Sequence, residues 1–168
     1  MVTIKRWLVH TLMPPWRWRM AFPSAILKDI EKAIQQSENQ HRGEIRFAVE
    51  NTLAPAWVWH HLSARERATE IFSNLRVWDT EENSGILIYV LLADREVHII
   101  ADRGIAQKVA QTEWDDIAKA METAFSQGKF REGSLIGIAQ LTKLLANHFP
   151  PGVDNPNELP NKPVIIRR

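Results

Sequence analysis

The chain has 168 residues, with 21 basic and 20 acidic side chains and no cysteine. That length makes one domain able to bury its own core, and the missing cysteines exclude disulfide scaffolds, thiolate metal sites and cysteine nucleophiles. A net charge of +1 argues against bulk nucleic-acid binding, and no stretch reaches the roughly 18 to 20 apolar residues of a membrane span.

The charge is unevenly spread. Residues 1–28 carry Lys5, Arg6, Arg17, Arg19 and Lys28 and no acid, together with Trp7, Trp16 and Trp18. Short apolar runs, broken by Pro14-Pro15 and by Trp16-Arg17-Trp18-Arg19, do not read as a signal peptide. This basic, Trp-rich extension over residues 1–22 has two readings. Its aromatics pack on the domain or on a partner, or residues 1–20 rest on an anionic membrane surface, where Trp favours the headgroup region and lipid attracts Lys and Arg. With so few charges such attachment would be peripheral, reversible and salt-sensitive.

Ser24 is a candidate N-cap for a helix with Ile26, Leu27, Ile30, Ala33 and Ile34 on one face. Glu44–Glu50 alternates polar and apolar residues, the pattern of a half-buried strand. Ser63-Ala64-Arg65-Glu66 is a capping box opening a second helix with Ala64, Ala68, Ile71, Phe72 and Leu75 inward. Gly85–Ala93 is apolar on both faces and reads as a central strand; Asp94-Arg95 turns the chain, and Glu96–Ala101 returns antiparallel. Thr112 is the expected cap of a helix with Trp114, Ile117, Met121 and Phe125 inward, and another helix runs from about residue 131 to 148. Five prolines between residues 150 and 163 make the tail 150–168 extended, on the surface or mobile, with Val164-Ile165-Ile166 available as a short edge strand. A crossover of roughly 30 residues favours parallel pairing of the first two strands. The expected fold class is α/β: a three-layer α/β/α sandwich around a small mixed β-sheet, spanning residues 23–149.

These pieces, in this order, resemble the TPM domain family, named for a thylakoid-lumen protein, a photosystem II repair protein and a modulator of acetylcholine receptors. The residues that carry the match are Gly43-Glu44-Ile45 at the first strand, Phe72-Ser73-Asn74-Leu75-Arg76-Val77-Trp78 before the loop, and Glu82-Asn83-Ser84-Gly85-Ile86-Leu87-Ile88 into the central strand. They continue with Asp94-Arg95-Glu96-Val97 at the hairpin, Asp102-Arg103-Gly104-Ile105 after it, and Phe125–Gly133 between the last helices. The resemblance implies the same sandwich. It further implies a choice of roles, since some members are described as acid phosphatases or calcium binders and others as membrane-tethered accessory proteins. Many members carry a signal peptide and a transmembrane anchor, neither of which is expected here. Bacterial relatives are often encoded beside membrane proteins of the LemA family, so a membrane protein of that type is the partner the resemblance implies.

Strand direction offers a test for chemistry. With Asp94-Arg95 as the turn, Asp102 to Gly104 lie beside Gly85 to Leu87, and Gly43-Glu44 begin at the same sheet edge. Glu44, Asp79, Glu81, Glu82, Asn83 and Asp102 then converge on one rim with Arg46, Arg76 and Arg103 nearby. Glu44, Asp79, Asn83 and Asp102 are candidate ligands for Ca²⁺ or Mg²⁺, and Asp79, Asp102 and Arg103 candidate catalytic residues of a metal-assisted phosphatase. The same residues also read as a solvated loop and strand ends. The opposite edge, with Glu50, Asn51 and Asp94, is where open α/β sheets usually bind ligands but shows fewer convergent acids. His60-His61 and His98 read as ordinary histidines, and Trp57, Trp59 and Trp78 as core or interface. No nucleophile elbow, Gly-rich phosphate loop or basic stripe for nucleic acid is present in the sequence. The expectation is a soluble, cytoplasmic accessory domain, peripheral on the inner membrane face or on a membrane protein there, with the phosphatase as the alternative.

Overall fold

The structure, a computed structural model, describes residues 4–167. The chain runs α1 (Ile4–Leu12), α2 (Arg17–Ala21), α3 (Ser24–Ser37), β1 (Glu44–Glu50), α4 (Pro55–Trp59), α5 (Ala64–Asn74), β2 (Gly85–Leu91), β3 (Glu96–Ala101), α6 (Arg103–Ala106), α7 (Gln111–Ser126), α8 (Phe130–His148) and β4 (Val164–Ile166). The sheet has four strands in the order β3-β2-β1-β4. β1 pairs in parallel with both β2 and β4, and β3 returns antiparallel on β2, so the sheet is mixed as expected.

Alternation along the strands makes two cores. Ile45, Phe47, Val49, Ile86, Ile88 and Val90 point to the layer of α3, α7 and α8. Ala48, Leu87, Tyr89 and Leu91 point to α4 and α5. Together the layers form the α/β/α sandwich. The capping box at Ser63 and Glu66 is present in full, and the hairpin register sets Ile86 opposite Ala101.

Four local readings shift. α3 begins at Ser24 behind an extended Pro23, so Ser24 is its first residue and not its cap. α7 begins at Gln111 behind Ala110, one residue before Thr112. β1 is buried along its whole length, because the polar side of its alternation is covered as well. The tail is pinned: Leu159 is buried, and the Asn155 amide donates to the carbonyls of Glu38 (2.7 Å) and His41 (3.0 Å) before β4 joins the sheet.

Candidate functional site

At the amino edge of the parallel strands the chain gathers much of the expected rim. Glu44 pairs with Gly85, the Asp102 amide donates to the Gly85 carbonyl (2.9 Å), and the Gly104 amide donates to that of Asn83 (3.0 Å). The two glycines make this approach possible: a Cβ on Gly85 would lie 1.8 Å from the Val77 carbonyl oxygen, and one on Gly104 2.5 Å from that of Glu82. Asn83, at φ +52°, accepts from the Arg103 guanidinium at 3.1 Å. Asp102 caps α6 by accepting from the Arg103 amide (2.7 Å), while its Oδ2 is buried and has no hydrogen-bond partner.

The tail takes the rest of that edge. Glu44 is buried, and its carboxylate accepts from the backbone amides of Leu159 and Glu158. Burial pushes Glu44 above the usual carboxylate range, and the two amides pull the other way. The Arg46 guanidinium donates to the carbonyls of Pro160 and Lys162. The Glu81 amide donates to Glu158 (2.8 Å), and Glu82 pairs with Arg42. Asp79 and Arg76 are exposed, with no side-chain bond among the described residues. Among those residues no three His, Asp or Glu side chains stand together as a metal-holding group. Ca²⁺ takes about six to eight oxygens, so the donors gathered here, chiefly one free oxygen of Asp102, are a thin set for it.

The carboxyl edge is built more tightly, and by the residues of the N-terminal extension. Arg6 donates to both oxygens of Asp94 (2.8 to 3.2 Å) and to the Leu62 carbonyl (3.0 Å). His10, buried, accepts from the Leu53 amide at Nδ1 (2.8 Å), which leaves Nε2–H to donate to Asp94 (3.0 Å). Burial alone would raise the Asp94 pKa, but the bonds and charges of His10 and Arg6 outweigh it and hold the carboxyl at about 2. α1 is therefore turned inside out. Arg6 and His10 face the domain beside Trp7, which packs on the second core, while Ile4, Leu8 and Leu12, spaced four apart on one stripe, face outward. Trp16 and Met20 are exposed beyond them.

Beneath α5 lies a second polar cluster absent from the sequence reading. Glu50 accepts from Arg67 twice (2.9 and 3.0 Å) and from the Tyr89 hydroxyl (2.6 Å), and Trp57 lies over the Arg67 guanidinium at 4.8 Å. Burial pulls the Arg67 pKa down, yet Glu50 and Glu70 prevail and raise it. Burial and the Glu50 charge both push the Tyr89 hydroxyl up, so it stays a donor. One signal for this cluster was available: Arg67 falls on the apolar stripe of α5, between Ala64 and Ile71. His60 and His61 are exposed after α4, His98 faces Glu96 (2.9 Å), and Trp57, Trp59 and Trp78 are all exposed rather than core.

Two clefts flank α1 at this edge, of about 520 and 540 Å³. The fold and its ends thus define a small three-layer domain whose parallel strands are straddled by an inverted N-terminal helix. The chain belongs to the TPM domain family, whose model matches residues 21–144. It is similar to the NMR structure of BA42 protein from the psychrophilic bacterium Bizionia argentinensis sp. nov., at 33% identity and a TM-score of 0.75, over 84% of this chain and 93% of that one. Comparison with curated proteins returned no match.

Proposed function

We propose that this chain is a non-enzymatic accessory domain that rests on the anionic inner face of the cytoplasmic membrane through α1 and α2. The inverted α1 carries the reading. A helix on a folded domain normally turns its apolar stripe inward; here Ile4 is 76% exposed, Leu12 73% and Met20 70%. Contiguous apolar surface of this kind marks an interaction site. Lys5, Arg17 and Arg19 border it, all exposed, and residues 1–28 hold no acid. Basic residues beside exposed Trp and Leu suit an anionic headgroup layer, with the apolar side chains entering its acyl boundary. No helix among the described residues is long and apolar enough to cross a membrane, which fits a peripheral mode.

Co-sedimentation of the full chain with phosphatidylcholine vesicles containing phosphatidylglycerol tests the proposal. Pelleting that falls with salt and vanishes in a Leu12→Glu, Met20→Glu variant is the expected result. No pelleting at low salt overturns the lipid reading and leaves a membrane protein, of the LemA type that the family resemblance implies, as the partner to capture.

A second reading keeps one observation of its own, the unpartnered Asp102 Oδ2. On that reading Ca²⁺ or Mg²⁺ joins Asp102 at the rim and supports phosphomonoester hydrolysis. It requires a rise in melting temperature with millimolar calcium and hydrolytic activity abolished by chelator, both lost in Asp102→Asn.

A further inference from the structure

The tail lies on a strip of buried charge. Beneath residues 155–166 sit Glu38, Glu44 and Arg46, which are 9%, 2% and 6% exposed. Among the described residues none of the three has an ion-pair partner. Polar groups of the tail stand in for one. The Leu159 amide donates to Glu44 (3.1 Å), the Asn161 side-chain amide donates to Glu38 Oε2 (2.8 Å), and Arg46 donates to the Pro160 and Lys162 carbonyls. That replacement is incomplete: Glu38 Oε1, Arg46 Nε and Asn161 Oδ1 are buried with no hydrogen-bond partner. Covering charged groups and leaving polar atoms over costs free energy that water returns when the cover lifts.

Against that cost stand Leu159, on the second core, and a β4 of three residues paired with Ala48 to Glu50. The tail departs from a fixed point, since the Arg42 amide holds the Phe149 carbonyl (3.0 Å) and its guanidinium that of Pro150 (2.9 Å). Residues 151–154 follow, exposed and without a hydrogen bond among the described residues, before Asn155 docks on Glu38 and His41. A segment with few apolar anchors and a free hinge opens well before the core it lies on.

We infer that residues 155–166 are a releasable strap, which swings open about residues 151–154 while the sandwich stays folded and which Glu38 and Glu44 latch. Opening bares the outer edge of β1 from Ala48 to Glu50, a strand edge that another extended chain could pair with. The strap does not depend on either functional reading above.

Titration of the latch follows from its burial. Burial first and the Glu44 charge second push Glu38 up to about 7 in the closed form, and burial pushes Glu44 up as well. Both return toward about 4.3 in water, so closing is favoured at low pH and loses that preference as the pH rises through 7. The neighbouring charges do not reverse this. Glu158 adds a like charge beside Glu44, Arg42 pairs with Glu82, and Lys162 is exposed. The neutral His41 ring is held by Ser37 and Gly43 and not by the tail.

Amide hydrogen exchange of the full chain at about pH 6 and about pH 8, corrected for the intrinsic base-catalysed rate, reads the strap directly. The Leu159 amide and those of residues 164–166 are expected to exchange faster than the β2 amides, with an opening that grows about tenfold between the two pH values. Glu38→Gln, which keeps an uncharged group under the strap, abolishes that growth. Asn155→Ala, which removes the first two bonds after the hinge, speeds tail exchange at both pH values and leaves β2 unchanged. The native profile needs no variant, so a folding defect cannot mask the result. Tail amides that exchange no faster than those of β2, or an opening that is the same at both pH values, overturn the inference.

Discussion

His10 Nε2 and Asp94 Oδ1 stand 3.0 Å apart, tying the first described helix to the turn of a hairpin 84 residues later. Arg6 grips the same carboxylate from one turn earlier. Asp94 thus decides where α1 lies and, with it, which way the apolar stripe points. Replacing Asp94 by Ala removes the acceptor of the half-buried Arg6 guanidinium and of the buried His10 ring, a loss of about 1.5 to 3 kcal/mol for hydrogen bonds to a charged group. Hydrogen exchange is expected to show α1 deprotected in Asp94→Ala, with β1 and β2 unchanged.

The same contact has a pH signature. Asp94 titrates at about 2 in the folded chain against an ordinary 3.8. A depressed carboxyl contributes stability above its unfolded value and loses it as the pH falls through the folded one. Docking of α1 is expected to weaken between about pH 4 and 2 in the native chain. The Asp94→Asn variant, docked less firmly throughout, shows no transition of α1 in that window.

Glu50 and Arg67 are a buried pair of the kind that is harmful to halve. Arg67→Ala leaves the Glu50 carboxylate with Tyr89 alone and is expected to cost about 3 to 5 kcal/mol, read by chemical denaturation. Arg67→Lys recovers only part of the loss, because an ammonium cannot make the two parallel bonds at 2.9 and 3.0 Å.

Under the tail, two buried groups titrate in opposite senses. Burial first and the Glu44 charge second push Glu38 up to about 7. An unfolded glutamate ionises near about 4.3, so Glu38 favours the fold fully below that pH and loses the contribution as pH rises through 7. Burial lowers His41 to about 4, so its neutral ring, held by Ser37 and Gly43, favours the fold above the ordinary 6.5 and loses that contribution as pH falls toward 4. The slopes oppose each other between about pH 4.3 and 6.5. Glu38→Gln removes one of them and supplies a donor where Glu38 Oε1 and Asn161 Oδ1 are buried without partners. The variant is expected to melt several degrees above the native chain near pH 8, and to lose stability more steeply than it between about pH 7 and 5.

The hairpin, the parallel crossover and the capping box were legible in the sequence because each is written in neighbours: an apolar run, a turn, a Ser and a Glu three residues on. The polar side of β1 was not. Glu50 is buried by Arg67, Glu44 by the Leu159 amide and Arg46 by the Pro160 carbonyl, partners 17, 115 and 114 residues distant. Alternation reports which residues share a face, not whether a remote segment covers it. The amino-edge rim was legible as an edge for the same local reasons, yet the tail that occupies Glu44 was read only as extended. α1 shows the limit most sharply, since its stripe at Ile4, Leu8 and Leu12 would read as an inward face, and the contact of Arg6 and His10 with Asp94, with Trp7 packed on the second core, turns it outward.

That outward stripe is the centre of the account, and the chain lends itself to testing it because it contains no cysteine. A nitroxide attached at Leu12→Cys reports on α1, and one at Val153→Cys, fully exposed in the tail, serves as its reference. With vesicles containing phosphatidylglycerol, the label at residue 12 is expected to become accessible to oxygen and shielded from a water-soluble nickel chelate, while the label at residue 153 does not change. A label at residue 12 that stays as open to the chelate with vesicles as without them would contradict the account.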